Sequence, residues 1–345
     1  MSRVCHVVRS DGFAGVERYV CDVSSELAAR GWDVLVIGGD PARMRAALGE
    51  EVLLRPARTT LEAFGQLSAN RPYDVVHSHM TAADVAASTS KVLTRASVVS
   101  TRHFTANRGS RRSTRALLRP VLRGIDRRLA ISQYVADGAR GGGEHVLLNG
   151  VPRAEPVPDA EREEVVVVLQ RHEAEKDTTT ALRAWAASEL PSRGWRLALA
   201  GSGVESDALR RLAEDLGIAD SVDVLGFVPD PSALLRRSRA LLATAAREPF
   251  GLAVVEAMAT GAAVIAAGSG GHLETVGGDG WLFPPGDAAA CAALLDRLHA
   301  TPSATTEYGE RLRTRQREEL SLDRHVDVLE RHYRSVMSPP ASGTA

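Results

Sequence analysis

The chain has 345 residues and a formal net charge of −1. That length allows two domains, and that charge gives no bulk attraction to nucleic acid or to a membrane surface. The three cysteines, Cys5, Cys21 and Cys291, match no zinc or redox spacing and read as small buried hydrophobes in a reducing compartment. With no run of transmembrane length and no signal-like start, a cytoplasmic location is expected.

Arg3 to Val8 reads as a first strand. The loop SDGFAG follows, with Gly12 and Gly15 flanking a helix start, and then a helix from Val16 to Arg30 closed by Gly31. Trp32 to Ile37 is a strand, 41–48 a helix and Glu51 to Leu54 a short strand. The stretch DVVHSH (Asp74 to His79) is a strand, 82–93 a helix, and Ser97 to Ser100 a strand that delivers Arg102 and His103 into a loop. An Arg-rich helix, the strand RRLAIS, a helix from near Ser132 and the turn Asn149-Gly150 complete the first half. Strand–helix alternation of this kind implies a parallel sheet with helices on both faces. Ligands on such sheets bind beyond the carboxyl ends of the strands, where Gly15, His79, His103 and Asn149 all fall.

Residues 152–164 are Pro-rich and charged and read as a linker between a domain of residues 1–151 and one of residues 165–318. In the second half the alternation restarts with EVVVVLQ, RLALAG, Val222 to Leu225 and RALLAT as strands. Helices are expected at 177–187, 205–216, 231–237 and 287–299, and a last helix within 319–338.

The second domain centres on residues 247–274, REPFGLAVVEAMATGAAVIAAGSGGHLE. Pro249 suits a first helical position, Gly261 suits a helix C-terminus, and Ala262 to Ala267 read as a buried strand. A helix start there aims the N–H groups of Phe250, Gly251 and Leu252 into a crevice as an anion site suited to phosphate. Glu248 at the helix mouth and Glu256 two turns inside would repel phosphate and would accept hydrogen bonds from hydroxyls instead. Phosphate donors beside hydroxyl acceptors describe a nucleoside diphosphate sugar; a solvated Glu and a satisfied buried Glu is the plainer alternative.

Arg171 and Lys176 follow the first strand of the second domain, where they would neutralise a diphosphate or pair with Glu173 and Glu175. Gly201-Ser202-Gly203 and Gly226-Phe227-Val228 also lie at strand ends, either as ligand-facing backbone or as plain turns. His77 and His79 are read as lying on opposite sides of their strand, hence a poor metal pair. With no Asp-x-Asp, no metal site and no cofactor are expected. Residues 102–128 hold nine arginines and one acid. Arg111, Arg112, Arg115, Arg119 and Arg123 form either a solvated face or a contact for an anionic acceptor or membrane surface, with Pro120 breaking the helix.

Taken together, these residues resemble the retaining glycosyltransferases of the GT-B fold, in particular the family-4 group. The resemblance rests on Glu248-PFGLAVV-Glu256 followed by AMATG and GGHLE, on the pair Arg171 and Lys176, on Ala14-Gly15-Val16-Glu17, on the DVVHSH strand, on His103 and on Asn149-Gly150. It implies two Rossmann-like domains facing across a cleft, the first for the acceptor and the second for the donor, with the last helix crossing back to the first. It also implies Arg171 and Lys176 on the diphosphate, Glu256 on the ribose, Glu248 on the sugar with backbone near Gly251, and His103 by the reacting centre, touching sugar or phosphate. Gly15, Gly201, Val228, Phe250 and Leu252 complete the expected donor site.

Four positions depart from the family pattern: Gln170 and Asp177 around the cationic loop, Ala14 before Gly15, and Ala263 where a Pro is usual. The expected activity is metal-independent, retaining transfer from a nucleotide sugar, UDP-linked before GDP-linked, to a glycan, a lipid-linked or a small natural-product acceptor. A nucleotide-sugar 2-epimerase of the same fold and a non-catalytic nucleotide-sugar-binding protein are the alternatives.

Overall fold

The computed structural model describes residues 1–10, 12–105, 122–139 and 142–337. Its chain forms two compact units, Met1–Gly150 with the chain from Leu322 onward, and Val151–Ser321.

The first unit is built on β1 (Arg3–Val8), β2 (Asp33–Gly38), β3 (Leu53–Arg55), β4 (Val75–His79), β5 (Ser97–Arg102), β6 (Arg127–Ala130) and β7 (His145–Val146). They form one parallel sheet in the order β3-β2-β1-β4-β5-β6-β7. Its helices are α1 (Gly15–Ala29), α2 (Pro41–Ala47), α3 (Thr60–Ala69), α4 (Thr81–Thr94) and α5 (Gln133–Asp137). The second unit has β8 (Glu163–Leu169), β9 (Arg196–Ala200), β10 (Val222–Gly226), β11 (Ser238–Ala243), β12 (Ala263–Ala267) and β13 (Trp281–Phe283), in the parallel order β10-β9-β8-β11-β12-β13. Around it lie α6 (Thr178–Ala187), α7 (Ser206–Asp215), α8 (Pro231–Arg237), α9 (Leu252–Thr260), α10 (His272–Val276), α11 (Ala288–Ala300) and α12 (Pro302–Glu319). The chain then returns to the first unit as α13 (Leu322–Met337).

Both sheets are covered on two faces, so their central strands are largely buried, while the edge strands β3, β7 and β10 are exposed or half-buried. Alternate residues of β1 serve different layers. Val4 and Val8 pack with α1 and with Leu322, Val326, Leu329 and Tyr333 of α13. Cys5 and Val7 pack with Ala63 and Leu67 of α3 and with Ala83, Ala86 and Ala87 of α4.

Among the described residues three helices, α3, α10 and α12, have no counterpart in the expected elements. α3 had a legible signal in Thr59-x-x-Glu62: Thr59 accepts from the Glu62 amide, and the Glu62 carboxylate accepts from the Arg58 amide. α12 opens with Pro302 at its first turn. The segment expected as a linker is anchored by Arg162. Its guanidinium, nine-tenths buried, donates to the carbonyls of Ser238 and Thr260, and β8 begins at Glu163, inside the expected linker. Among the described residues no helix is long and apolar enough to cross a membrane.

The helix of the focal stretch begins three residues later than the sequence suggests. Pro249 is not its first residue. Gly251 has φ 94°, which ends any right-handed helical run on its N-terminal side, and α9 starts at Leu252. Gly261 closes it in the left-handed conformation expected of a helix-terminal glycine, its N–H donating to Ala257 and Met258.

Candidate active site

In a doubly wound sheet the crevice for a ligand opens where the strand order reverses. In the second unit that point lies between β8 and β11, whose pairing places Val166 and Val167 beside Ala240 and Leu241. The loops leaving these two strands bring together Lys176 and Glu248. The Lys176 ammonium donates to Glu248 Oε2 at 2.5 Å, with the side chains only 18% and 17% exposed.

Local sequence holds each partner. The Gln170 amide donates to the Lys176 carbonyl at 3.0 Å and to Thr178 Oγ1 at 2.9 Å, and Thr244 Oγ1 donates to the same carbonyl at 2.8 Å. After the short turn Ala174–Lys176, Asp177 takes a left-handed conformation with φ 51° and caps α6, accepting from Thr180 Oγ1 at 2.7 Å. On the other side, the Gly271 N–H donates to the Glu248 carbonyl at 2.8 Å. A methyl group on Gly271 would lie 2.6 Å from Phe250 Cα and 2.6 Å from the Pro249 oxygen, so only glycine fits there. This is what holds residues 248–250 outside the helix. Phe250 itself is buried and anchors the loop from below.

No side chain caps α9, and the first N–H groups of a helix have no partner within it. Glu256 is half-buried four residues after Leu252, one turn inside rather than two, because the helix starts later than expected. His272 is a site residue that the sequence reading quoted only as part of GGHLE. Its ring lies against Gly251, with Cδ2 3.1 Å from where a Cβ would stand, and its Nδ1–H donates to the Ala267 carbonyl at 3.1 Å. Burial lowers its pKa, Glu248 pulls it back up, and Lys176 pushes it down further.

Other expected residues are placed differently. Arg171 is more than half exposed and pairs with Glu175 at 2.5 Å and Glu173 at 3.8 Å, the surface arrangement weighed against diphosphate binding. Gly201 and Gly203 have a packing reason: a Cβ would stand 1.9 Å from the Gln170 oxygen or 2.2 Å from the His172 oxygen. Val228 is half-buried in the loop after β10, next to an exposed Phe227.

In the first unit the strand order reverses between β1 and β4. Gly15 is exposed at the start of α1. Glu17, one turn in, is buried and caps that helix: it accepts from the Ala14 amide at 2.8 Å and from the Ser10 hydroxyl. His103 follows β5 and is buried, its Nε2 3.1 Å from His79 Nδ1. His79 Nε2 in turn lies 3.0 Å from His6 Nδ1.

The expected orientation of His77 and His79 is corrected here. Residues two apart on a strand point to the same face, and these two rings lie 4.3 Å apart. With His6, which pairs with His77 across β1 and β4, they bring one nitrogen each within 4.8 Å of one another, a grouping that would suit a metal ion. Protein partners also engage these rings, as His77 meets Tyr333 and Thr101 at 2.6 and 2.7 Å. Of the arginine stripe, Arg111, Arg112, Arg115 and Arg119 lie outside the described residues, and Arg123 is exposed.

Comparison with known proteins agrees with this geometry. The profile described as glycosyl transferases group 1 matches residues 154–318, and that of glycosyltransferase family 4 matches residues 13–155. The chain belongs to the family-4 type glycosyltransferases of the GT-B fold.

Among curated relatives, an exopolysaccharide phosphotransferase of Streptomyces coelicolor is 31% identical over 186 residues, 49% of this chain and 19% of that protein. The N-acetyl-alpha-D-glucosaminyl L-malate synthase of Bacillus anthracis is 31% identical over 150 residues, 43% of this chain and 39% of that protein. The chain thus spans less than half the length of these relatives. Among solved structures, Anabaena HepE in complex with UDP and glucose superposes with a TM-score of 0.81 at 20% identity, covering 97% of this chain and all of that one.

Within this family, the departures at Gln170, Asp177 and Ala14 have physical readings. Gln170 adds a side chain that clips the Lys176 carbonyl. Asp177 keeps the left-handed backbone that explains a glycine at that place, and Asp is among the few other residues that adopt it readily. Ala14 is extended, with φ −140°, and needs no glycine.

Proposed function

We propose that the protein transfers a sugar from a nucleoside diphosphate sugar, UDP-linked in first place and GDP-linked next, to a hydroxyl of an acceptor with retention of anomeric configuration. The Lys176–Glu248 pair at the strand-order reversal of the second unit carries the reading. An ammonium has three donors and the bond to Glu248 uses one, so Lys176 can also hold a diphosphate oxygen. The uncapped start of α9 supplies further positive potential. Arg171 is in reach of the same loop through a surface pair that is worth at most about 1 kcal/mol and is readily exchanged for phosphate. Glu248 and Glu256 take the hydroxyls of sugar and ribose, and His103 serves at the reacting carbon.

In the step itself, the bond between the anomeric carbon and the diphosphate oxygen breaks. The acceptor oxygen bonds to that carbon on the face being vacated. The acceptor proton passes to the departing phosphate oxygen. The residues contribute positioning and electrostatic stabilisation of the leaving diphosphate. Cations and helix amides supply that charge without a metal ion or a cofactor. The acceptor is a glycan, a lipid-linked sugar or a small molecule, and the relatives' printed names, from exopolysaccharide to L-malate, support this breadth. The UDP complex of the Anabaena neighbour supports UDP as the base. Location in the cytoplasm fits such donors.

The test is a thermal-shift panel of UDP, GDP, ADP and TDP and their sugars, with and without EDTA. A ligand at 100 times its Kd stabilises the fold by about 2.7 kcal/mol, and a shift with UDP-sugars that EDTA leaves unchanged is expected. Glu256→Ala should lose that shift. A donor affinity equal to wild type in this variant would refute the assignment, and conversion of donor without acceptor would favour the epimerase.

A further inference from the structure

The two units differ at the edge where their strands end. In the second, the crevice at the strand-order reversal holds a charged pair, Lys176 and Glu248. In the first, the reversal lies between β1 and β4, and the loops there carry apolar side chains. Phe13 follows β1 and Met80 follows β4, both partly buried against the core that β1 shares with α1. Phe104 follows β5, the next strand in the sheet, and is 49% exposed. Neighbouring strands lie about 4.8 Å apart, so these three loops span on the order of 10 Å of one sheet edge.

Phe104 is the member that asks for a partner. Single exposed hydrophobics are ordinary, but among the described residues only two of the exposed ones are aromatic, Phe104 and Phe227. Each stands within two residues of a strand's carboxyl end, that of β5 or β10, where the ligands of such sheets bind. The exposure of Phe104 is imposed by its neighbours. His103 is buried, with Nε2 3.1 Å from His79 Nδ1. The Thr105 side chain lies against Gly138 at the end of α5, 3.0 Å from where a Cβ would stand, in a place that the glycine leaves open. Pinned on both sides, the segment holds the ring out from the sheet edge. Met80, at the end of β4, has φ 72° and ψ 158°, a backbone region that otherwise belongs to glycine. Strain of that kind collects at ligand sites.

A pyranose has a face of C–H groups and a rim of hydroxyls. The negative face of an aromatic ring packs against such C–H groups, and the rim stays free for polar partners. An acyclic acid has no face of this kind. We propose that Phe104 is the platform on which a pyranose ring of the acceptor stacks, so that the acceptor is a glycoside and not an acyclic acid. Its being the acceptor rests on the proposed transferase reading; the stacking does not.

Hexyl β-D-glucopyranoside, galactopyranoside and mannopyranoside each carry a ring and an alkyl chain, and saturation-transfer NMR reads which of their protons touch the protein. With UDP present, transfer to the ring C–H protons of at least one of them is expected. Phe104→Ala should lose it and Phe104→Trp should keep it. Transfer centred on the hexyl chain would assign the platform to a lipid and overturn the proposal. So would no transfer to any ring, or ring signals that Phe104→Ala leaves intact.

The acceptor role has its own readout, UDP release from the sugar donor with the responding glycoside as acceptor. Phe104→Ala should raise the KM of that glycoside roughly five- to tenfold, the worth of half-burying a phenylalanine, and leave the KM of the sugar donor as it is. An equal rise in both, or L-malate used as well as the glycosides by the wild type, overturns the assignment. A wild type whose ring signals depend on Phe104 but that releases no UDP from any sugar donor would count against the transferase reading and leave the stacking standing.

Discussion

Lys176 and Glu248, 72 residues apart in the chain, meet at 2.5 Å because β8 and β11 are neighbours in the sheet and both end at the point where strand order reverses. The pair is partly shielded from water, and the carbonyl of each partner is held by a donor from another loop, Thr244 Oγ1 for Lys176 and the Gly271 N–H for Glu248. Lys176→Ala should therefore act on transfer far more than on folding. A fall in kcat/KM for the sugar donor of about 10²–10³-fold is expected for loss of a charge that stabilises a leaving group. The thermal midpoint should move by only a few degrees. Initial rates and a circular-dichroism melt on the same sample would check this, and near-wild-type turnover would remove Lys176 from the mechanism.

Gly271 and Gly278 offer a matched pair of substitutions. Gly271→Ala drives a methyl into the backbone of Pro249 and Phe250, whereas a methyl at Gly278 meets nothing within 4 Å. The first should cost about 1–3 kcal/mol, the range for overpacking, and should displace the loop that carries Glu248, weakening donor binding. The second should leave donor binding as it is. Urea denaturation and donor titration of both variants would test the difference.

Asp177 separates two contributions at one position. Asp177→Gly loses the cap on α6 but relieves the left-handed backbone, and the change should be small. Asp177→Ala loses the cap and keeps the strained backbone, for a loss of about 1–3 kcal/mol from the two effects. The opposite ranking in chemical denaturation would mean that the turn is set by something other than residue 177.

The buried imidazoles of the first unit make stability depend on pH. His6, His103 and His325 have folded pKa values of about 3, 3 and 4 against an ordinary 6.5. Below 6.5 the unfolded chain binds protons that the native protein does not, so stability falls as pH drops from 6.5 toward these values. Between pH 7.5 and 5.5 the loss is on the order of 1 kcal/mol per buried histidine. Asp22, pushed up to about 6 by burial, works in the opposite sense as a single group. Denaturation curves at the two pH values should show a drop of several kcal/mol, reduced in His6→Gln. A flat profile would mean that these rings are charged in the folded state.

Much of this site was legible in the sequence, for reasons that can be named. Glu248, Gly251 and Glu256 are readable because a strand, a loop and a helix start lie next to one another in the chain. Gly261 is readable because a helix end leaves few choices. The late start of α9 was not, because Pro249 at a first helical turn is locally sensible. What overrides it is a hydrogen bond from Gly271, more than 20 residues away, to the Glu248 carbonyl. His272 was hidden for a similar reason: only the fold lays its ring against Gly251. The histidine series could not be read at all from a linear pattern. It joins β1, β4 and β5 to a tyrosine of α13, and the spacing of His77 and His79 was assigned to the wrong period. Gln170, noted as a departure, shows its role only once its amide is seen on the Lys176 carbonyl.

The return of the chain to the first unit as α13 sets an order on birth as well as on structure. Val4, Val8 and Val99 share a core with α1 and with Leu322, Val326, Leu329 and Tyr333, so the part of that sheet face that α13 covers stays open until the whole second unit has been translated. At about 5–20 residues per second, that interval lasts roughly ten to thirty seconds. During it the second unit is contiguous in sequence and complete, while the first exposes the apolar surface that α13 later covers. A ribosome stalled before Leu322 would therefore display a hydrophobic surface that chaperones recognise, and release of the finished chain would extinguish it.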